Sequence, residues 1–163
     1  MTYQEKQLLR NNRFFWIIIP ALLIILFVNI PVANGKSNQW LHILISIAFS
    51  IVSIALIFLA NLSVEINSDG ISYQWFPLQF SKRKIAWAEI QKAYIRHYDP
   101  LLEYGGWGIK GWKKSNKAIN IAGKIGLQLE LINGNRLLIG TAQEKLLQQY
   151  LDQFAKMNIK ALN

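Results

Sequence analysis

The sequence predicts a membrane α-helical hairpin followed by an all-β domain of five to seven short antiparallel strands, closed by a C-terminal helix. Three observations carry this reading. Residues 14–32 and 40–62 are apolar runs without Asp, Glu, Lys or Arg. From residue 63 onward, apolar and polar residues alternate in short stretches between turn signals. After Thr141 the apolar spacing changes from the period of a strand to that of a helix.

The first run, FFWIIIPALLIILFVNIPV, is close to the roughly 20 residues that cross a bilayer, and the second, WLHILISIAFSIVSIALIFLANL, is slightly longer. The alternative of a buried core helix fits less well, because such helices are usually amphipathic and these runs are apolar all round. Between them ANGKSNQ (33–39) is short and rich in turn formers, so the two spans should form a hairpin. Lys6, Arg10 and Arg13 precede the first span, Lys36 alone lies in the linker, and Lys82-Arg83-Lys84 follows the second. That asymmetry puts both termini on the cytoplasmic side of the membrane. Phe14, Phe15, Trp16 and Trp40 sit where an interfacial aromatic belt would lie, and His42 reads as interfacial. A cleaved signal peptide over residues 1–33 is the rival reading. Its apolar run is too long and Pro31-Val32-Ala33 is a poor cleavage site. The absence of Cys is compatible with a reducing compartment. The expected organisation is a cytoplasmic segment (1–13), the hairpin (14–62) and a cytosolic domain (63–163).

Within that domain SVEIN (63–67), the turn Ser68-Asp69-Gly70 and ISYQWF (71–76) predict a β-hairpin, since Asp and Gly tolerate the positive φ of a tight turn. Pro77 ends or bends the second strand, and residues 78–86 hold another. Residues 87–99, WAEIQKAYIRHYD, fit a helix or a strand; the β-branched and aromatic residues at their end favour a strand. KAINIA (117–122) and IGLQLELI (125–132) are strands, and Asn133-Gly134 turns the second into NRLLIGT (135–141). Thr141 with Glu144 has capping-box spacing. Leu146, Leu147, Tyr150, Leu151 and Phe154 then form the apolar stripe of a helix over 142–157, placed to plug one end of a bent sheet.

The stretches VEINSDGISYQW, KIAWAEIQKAYIRHYDPLLEYGGWGI and INIAGKIGLQLELINGNRLLIGT, after an apolar hairpin and before a final helix, resemble bacterial PH-like domain membrane proteins. The phrase W-x-E-I, the run from Tyr98-Asp99-Pro100-Leu101 to Gly106-Trp107-Gly108, and Leu138-Ile139-Gly140-Thr141 carry the resemblance, which spans residues 64–155. It implies a PH-like barrel or sandwich of about seven antiparallel strands in two near-orthogonal sheets with a C-terminal capping α-helix. The family is largely of unknown function.

The segment GGWGIKGWKK (105–114) has the spacing Gly106-x-Gly108-x-x-Gly111 of a dinucleotide fingerprint. Such a motif needs a buried strand before it and a helix opening inside it. Here HYDPLLEY precedes it and a stretch without a helical stripe follows. Glu130 lies at the distance of a ribose-binding acid but falls in an alternating strand, and Gly35-Lys36-Ser37 lacks the first glycine of a P-loop. Glycines between Tyr104, Trp107 and Trp112 instead suggest a bulge or a barrel corner. Glu89, Asp99 and Glu103 have no paired partner in sequence, His97 has no triad or metal-ligand spacing, and Asp99 before Pro100 reads as a turn initiator. No catalytic residue, metal site or cofactor is expected, and no enzyme.

Charge suggests the remaining role. The chain carries +9 at pH 7, and from residue 63 fourteen Lys and Arg face eight Asp and Glu. No helix-turn-helix, zinc-finger spacing or arginine-rich helix supports nucleic acid as the partner. Candidate contact residues are Lys82, Arg83 and Lys84, which read first as a solvated anchor, and Trp107, Lys110, Trp112, Lys113 and Lys114, which combine rings with cations. In PH-like lipid binders the first strand–turn–strand is basic; here it is Asn67-Ser68-Asp69-Gly70. The expectation is an integral membrane module that binds a protein partner or copies of itself. Its alternatives are peripheral recognition of anionic lipid headgroups and a small membrane enzyme or transporter accessory.

Overall fold

The computed structural model describes residues 2–17, 20, 39–113 and 115–161. The chain divides into two units, residues 8–60 and residues 1–7 with 61–163.

In the first unit, 3-10 turns at Leu9–Asn11 and Arg13–Ile17 accompany helix α1, Gln39–Leu59. The Leu9 N–H donates to the Ala60 carbonyl at 2.9 Å, and the Trp16 indole N–H donates to the Arg10 carbonyl at 2.7 Å. Trp16 also meets Phe58 edge-on. Leu9, Ile57 and Ala60 are buried, whereas Leu44, Ile45, Phe49, Ile51 and Val52 are exposed.

The expected membrane hairpin is corrected here. Residues 13–17 form a 3-10 turn, and most of the first span with its linker lies outside the described residues. The second run forms α1, in which polar side chains recur at His42, Ser46, Ser50 and Ser53. Ser50 and Ser53 donate back to the carbonyls of Ser46 and Phe49. Among the described residues no helix is long and apolar enough to cross a membrane. The multi-pass inner-membrane placement and the description as a transmembrane protein fall with it.

The second unit is built on two sheets. Strands β1 (Tyr3–Leu8, its last residue falling in the first unit), β2 (Asn61–Asn67), β3 (Gly70–Phe76) and β4 (Arg83–Ala86) form one, in that order. The other has the order β5-β8-β9-β7-β6, from β5 (Ile90–His97), β6 (Gly108–Lys113), β7 (Asn116–Asn120), β8 (Ile125–Leu131) and β9 (Arg136–Gly140). A five-residue helix α2, Pro100–Tyr104, lies between β5 and β6, and α3, Glu144–Ala161, follows β9.

This corrects the β part of the expected fold as well. The described residues hold nine strands rather than about seven, and β7 pairs parallel with β9 through Asn116↔Arg136 to Ile119↔Ile139. The first strand was not expected at all. Its buried positions are Tyr3, Glu5 and Gln7, so it has a strand's alternation of burial without an apolar pattern to announce it.

Elsewhere the pattern is the usual one. In β2 and β3, Leu62, Val64, Ile66, Ile71, Tyr73 and Trp75 are buried and alternate with half-buried neighbours, Gly70 at the turn being buried as well. Asn67 ties the turn between these strands, its side-chain oxygen accepting the N–H groups of Asp69 and Gly70. Leu127, Leu129, Leu137 and Ile139 bury the second sheet. Trp75 in the first sheet donates its indole N–H to the Asn120 carbonyl in the second, at 3.2 Å. Helix α3 covers the core with Leu147 and Tyr150, and Phe154 stacks on Trp87 with ring centroids 4.7 Å apart. The helix start differs from the expected capping box. Glu5 of β1 accepts from the Thr141 hydroxyl at 2.7 Å and from the Ala142 N–H at 2.7 Å, while Thr141 accepts from the Gln143 N–H. A carboxylate 136 positions away in sequence therefore fixes the residues that lead into the helix.

Candidate functional site

The register of the second sheet aligns one row of side chains across its strands. Lys92, Tyr94 and Arg96 of β5 lie opposite Glu130, Gln128 and Gly126 of β8. Those in turn face Arg136, Leu138 and Gly140 of β9, with Ala118 of β7 beside Leu138. Because side chains alternate along each strand, this row shares one face, opposite to the face bearing Leu127, Leu129 and Ile139. Ala118 and Leu138 on it are fully buried, packed with Tyr98 and Tyr104 in a small second cluster. Helix α2 and the turn before it provide those two rings, so α2 is a lid on this face.

A five-residue helix is far too short to hold itself together, so its ends and flanks must be fixed from outside. Asp99 caps it: one carboxylate oxygen accepts the N–H groups of Leu101 and Leu102, each at 2.9 Å. These backbone donors hold the Asp99 carboxyl below the usual carboxylate range. Pro100 occupies the first turn, where its missing N–H costs nothing. At the far end Gly105, with φ 74°, takes the left-handed conformation that closes a helix, and its N–H donates to the Leu101 carbonyl. From the sheet, Arg96 grips the helix. Its guanidinium donates to both Glu103 oxygens, at 2.7 and 3.2 Å, to the Tyr104 hydroxyl at 3.0 Å, and to Gln128. This pairing lowers the Glu103 carboxyl. Burial pushes the Tyr98 phenol up to about 12 and raises that of Tyr104.

The glycine segment follows directly. Gly108 donates its N–H to the Asn120 side-chain oxygen at 2.9 Å, and Asn120 donates to the Tyr98 hydroxyl at 3.0 Å. Strand β6 begins at Gly108, so no helix N-terminus stands where the fingerprint spacing would need one. The β6–β7 register shifts between Lys110 and Lys113, a bulge. Gly111 lies within it at φ +131°, and a Cβ there would run into the Asn116 carbonyl.

Besides Glu103, α2 displays two apolar side chains. Tyr104 points into the cluster, but Leu101 and Leu102 are 59% and 88% exposed. Beyond the loop, Ile109 is 38% exposed and Lys110 is exposed, its stem passing about 4 Å from the Cα substituent positions of Gly106 and Gly108.

The sequence-predicted contact residues are split between the two sheets. Lys82, just before β4, pairs with Glu65 at 2.9 Å, and Lys84 pairs with Asp69 at 3.1 Å. Arg83 lies opposite Tyr73. The three cations at 82–84 are therefore not one undivided basic cluster: two are matched by acids of the neighbouring hairpin. Glu65 and Lys82 line a shallow groove of about 330 Å³ with Ser63 and Ser72. Just before the second sheet's edge strand β6, Trp107 is half-buried, and Lys110 is exposed on β6 itself. Trp112 and Lys113 continue β6, and Lys114 lies outside the described residues. Sequence reasoning missed Leu101, Leu102 and Arg96. The signal for the helix was present: Asp-Pro at one end and Gly-Gly at the other bracket Leu-Leu-Glu-Tyr.

Among the described residues no group of three or more His, Cys, Asp or Glu could hold a metal. No family model, curated protein or solved structure matches the chain.

Proposed function

We propose that the chain is a binding and assembly module, and that the lid helix α2 with the loop after it is its contact surface. The observation that carries this is the pair Leu101 and Leu102, exposed on a turn of helix that a cap, a left-handed glycine and a bidentate arginine all hold in place. Exposed leucines are ordinary when scattered; two side by side on a braced protrusion are the kind of apolar anchor around which interfaces form. The polar groups beneath them are occupied with one another, which suits a surface that holds its shape rather than one that performs chemistry.

The test is a photo-crosslinking amino acid placed at position 102 of the full-length chain in its native host, with the same group at exposed Gln91 on β5 as control. Discrete protein adducts from position 102, absent from position 91 and lost in Leu101→Ser, are the expected result. Identical adduct patterns from both positions, or none from 102, would refute the reading.

A further inference from the structure

We infer that the partner seated on Leu101 and Leu102 is an acidic protein, offering an apolar recess for the leucines and carboxylates around it. This rests on the binding reading above and deepens it. The argument is one of charge around an apolar centre. From residue 105 to residue 129 the chain contains Lys110, Lys113, Lys114, Lys117 and Lys124 and no acid. That stretch leads directly out of α2 and includes β6 and β7. Two of its cations are placed beside the lid: Lys110 folds over Gly106 and Gly108, and Lys124 accepts the Tyr98 N–H on its carbonyl at 2.8 Å, one residue from the helix cap Asp99. The leucines thus emerge beside a cationic border.

Three occupants are conceivable for such a surface, and the page separates them. A second copy of the chain would bring +9 against +9, and like net charge opposes association. An anionic lipid surface matches the lysines, but Asp99 and Glu103 flank the leucines and both are held in the charged form, Asp99 by backbone N–H groups and Glu103 by Arg96. Inserting the leucine tip would press two fixed carboxylates toward anionic headgroups. A protein can answer each sign separately, with carboxylates opposite the lysines and a donor opposite Asp99. Interfaces are commonly arranged so, with an apolar centre and a rim of mixed polarity.

The experiment uses the full-length chain crosslinked from position 102, with the adduct identified by mass spectrometry. The expected partner is a single protein with more Asp and Glu than Lys and Arg. Its adduct yield should fall about tenfold between roughly 50 and 500 mM NaCl, as rim charges are screened. The double variant Lys110→Glu, Lys124→Glu should lower the low-salt yield about tenfold, because rim charges act on encounter, with an unchanged thermal midpoint. In parallel, the wild type and Leu102→Ser are sedimented with phosphatidylglycerol vesicles. Crosslinked dimers of the chain, a partner without acidic excess, yields insensitive to salt, or vesicle binding abolished by Leu102→Ser would each overturn this inference. Any of the protein adducts would leave the binding reading standing. Absence of every discrete adduct overturns both.

Discussion

Glu5 is the residue whose replacement should damage the β unit most for its size. It is buried, and its two oxygens accept three hydrogen bonds: from the Tyr3 hydroxyl at 2.6 Å, the Thr141 hydroxyl at 2.7 Å and the Ala142 N–H at 2.7 Å. Glu5→Ala leaves three donors without that acceptor in a site too enclosed for easy rehydration. Stranding one buried polar group costs about 1–3 kcal/mol, but the Tyr3 and Thr141 hydroxyls can rotate to other acceptors while the Ala142 N–H cannot. We take about 3 kcal/mol for the set. A unit of this size changes its midpoint by about 4 °C per kcal/mol, so Tm should fall by about 12 °C. Glu5→Gln keeps one acceptor oxygen and should lose about half as much. The assay is thermal and urea unfolding of the full chain followed by tryptophan fluorescence, since Trp75 and Trp87 lie in this unit. A Glu5→Ala midpoint within 2 °C of wild type, by the same scaling, would show that β1 is dispensable and that the helix start is not held by it.

Two further predictions concern the lid and its strand. Gly111→Ala should cost about 3 kcal/mol, combining a strained backbone at φ +131° with displacement of the Asn116 carbonyl; a chemical denaturation midpoint equal to wild type would refute the bulge geometry. Tyr98 has its phenol raised to about 12, mainly by burial. A phenol raised on folding gives stability that is complete below the unfolded value of about 10 and lost as pH climbs through the folded value. The chain should therefore lose stability between about pH 10 and 12, and Tyr98→Phe should flatten that limb of the stability–pH curve; an unchanged slope would show that Tyr98 ionises freely in the folded state.

Legibility followed the range of the interactions. The alternation of 125–132 and the Asn133-Gly134 turn are local signals, and β8 and β9 lie there. The stripe from Leu146 to Phe154 is local too, and α3 contains it. Strand β1 was illegible because its buried face is Tyr, Glu and Gln. Glu5 and Gln7 are tolerable inside because residues more than 130 positions away answer them: the Thr141 hydroxyl and the Ala142 N–H donate to Glu5, and the Gly140 carbonyl accepts from Gln7. The parallel β7–β9 pairing likewise has no local mark: the residues between the two strands, β8 included, read as a simple meander. The apolar runs gave the opposite error. Composition pointed to two spans, yet residues 13–17 form a 3-10 turn where a helix was expected, and the described residues contain no helix that meets the length and apolarity of a crossing segment.

The lid shows how the readable and unreadable parts meet. Asp99, Pro100 and Gly105 are local helix punctuation, and by themselves they could hold five residues only fleetingly. What makes the turn persist is Arg96, reaching across from β5 to Glu103 and Tyr104, with Tyr104 sunk on Ala118 and Leu138. All of that ordering is invested without covering Leu101 or Leu102, although burying a leucine yields about 1.5–3 kcal/mol. A fold that fixes the helix with both leucines outward leaves that apolar free energy to be gained elsewhere. Two leucines fully covered by a partner would contribute about 3–6 kcal/mol before the costs of association are subtracted. Loss of Arg96 should therefore weaken partner binding while the leucines themselves remain, because the lid would no longer arrive at the interface already ordered.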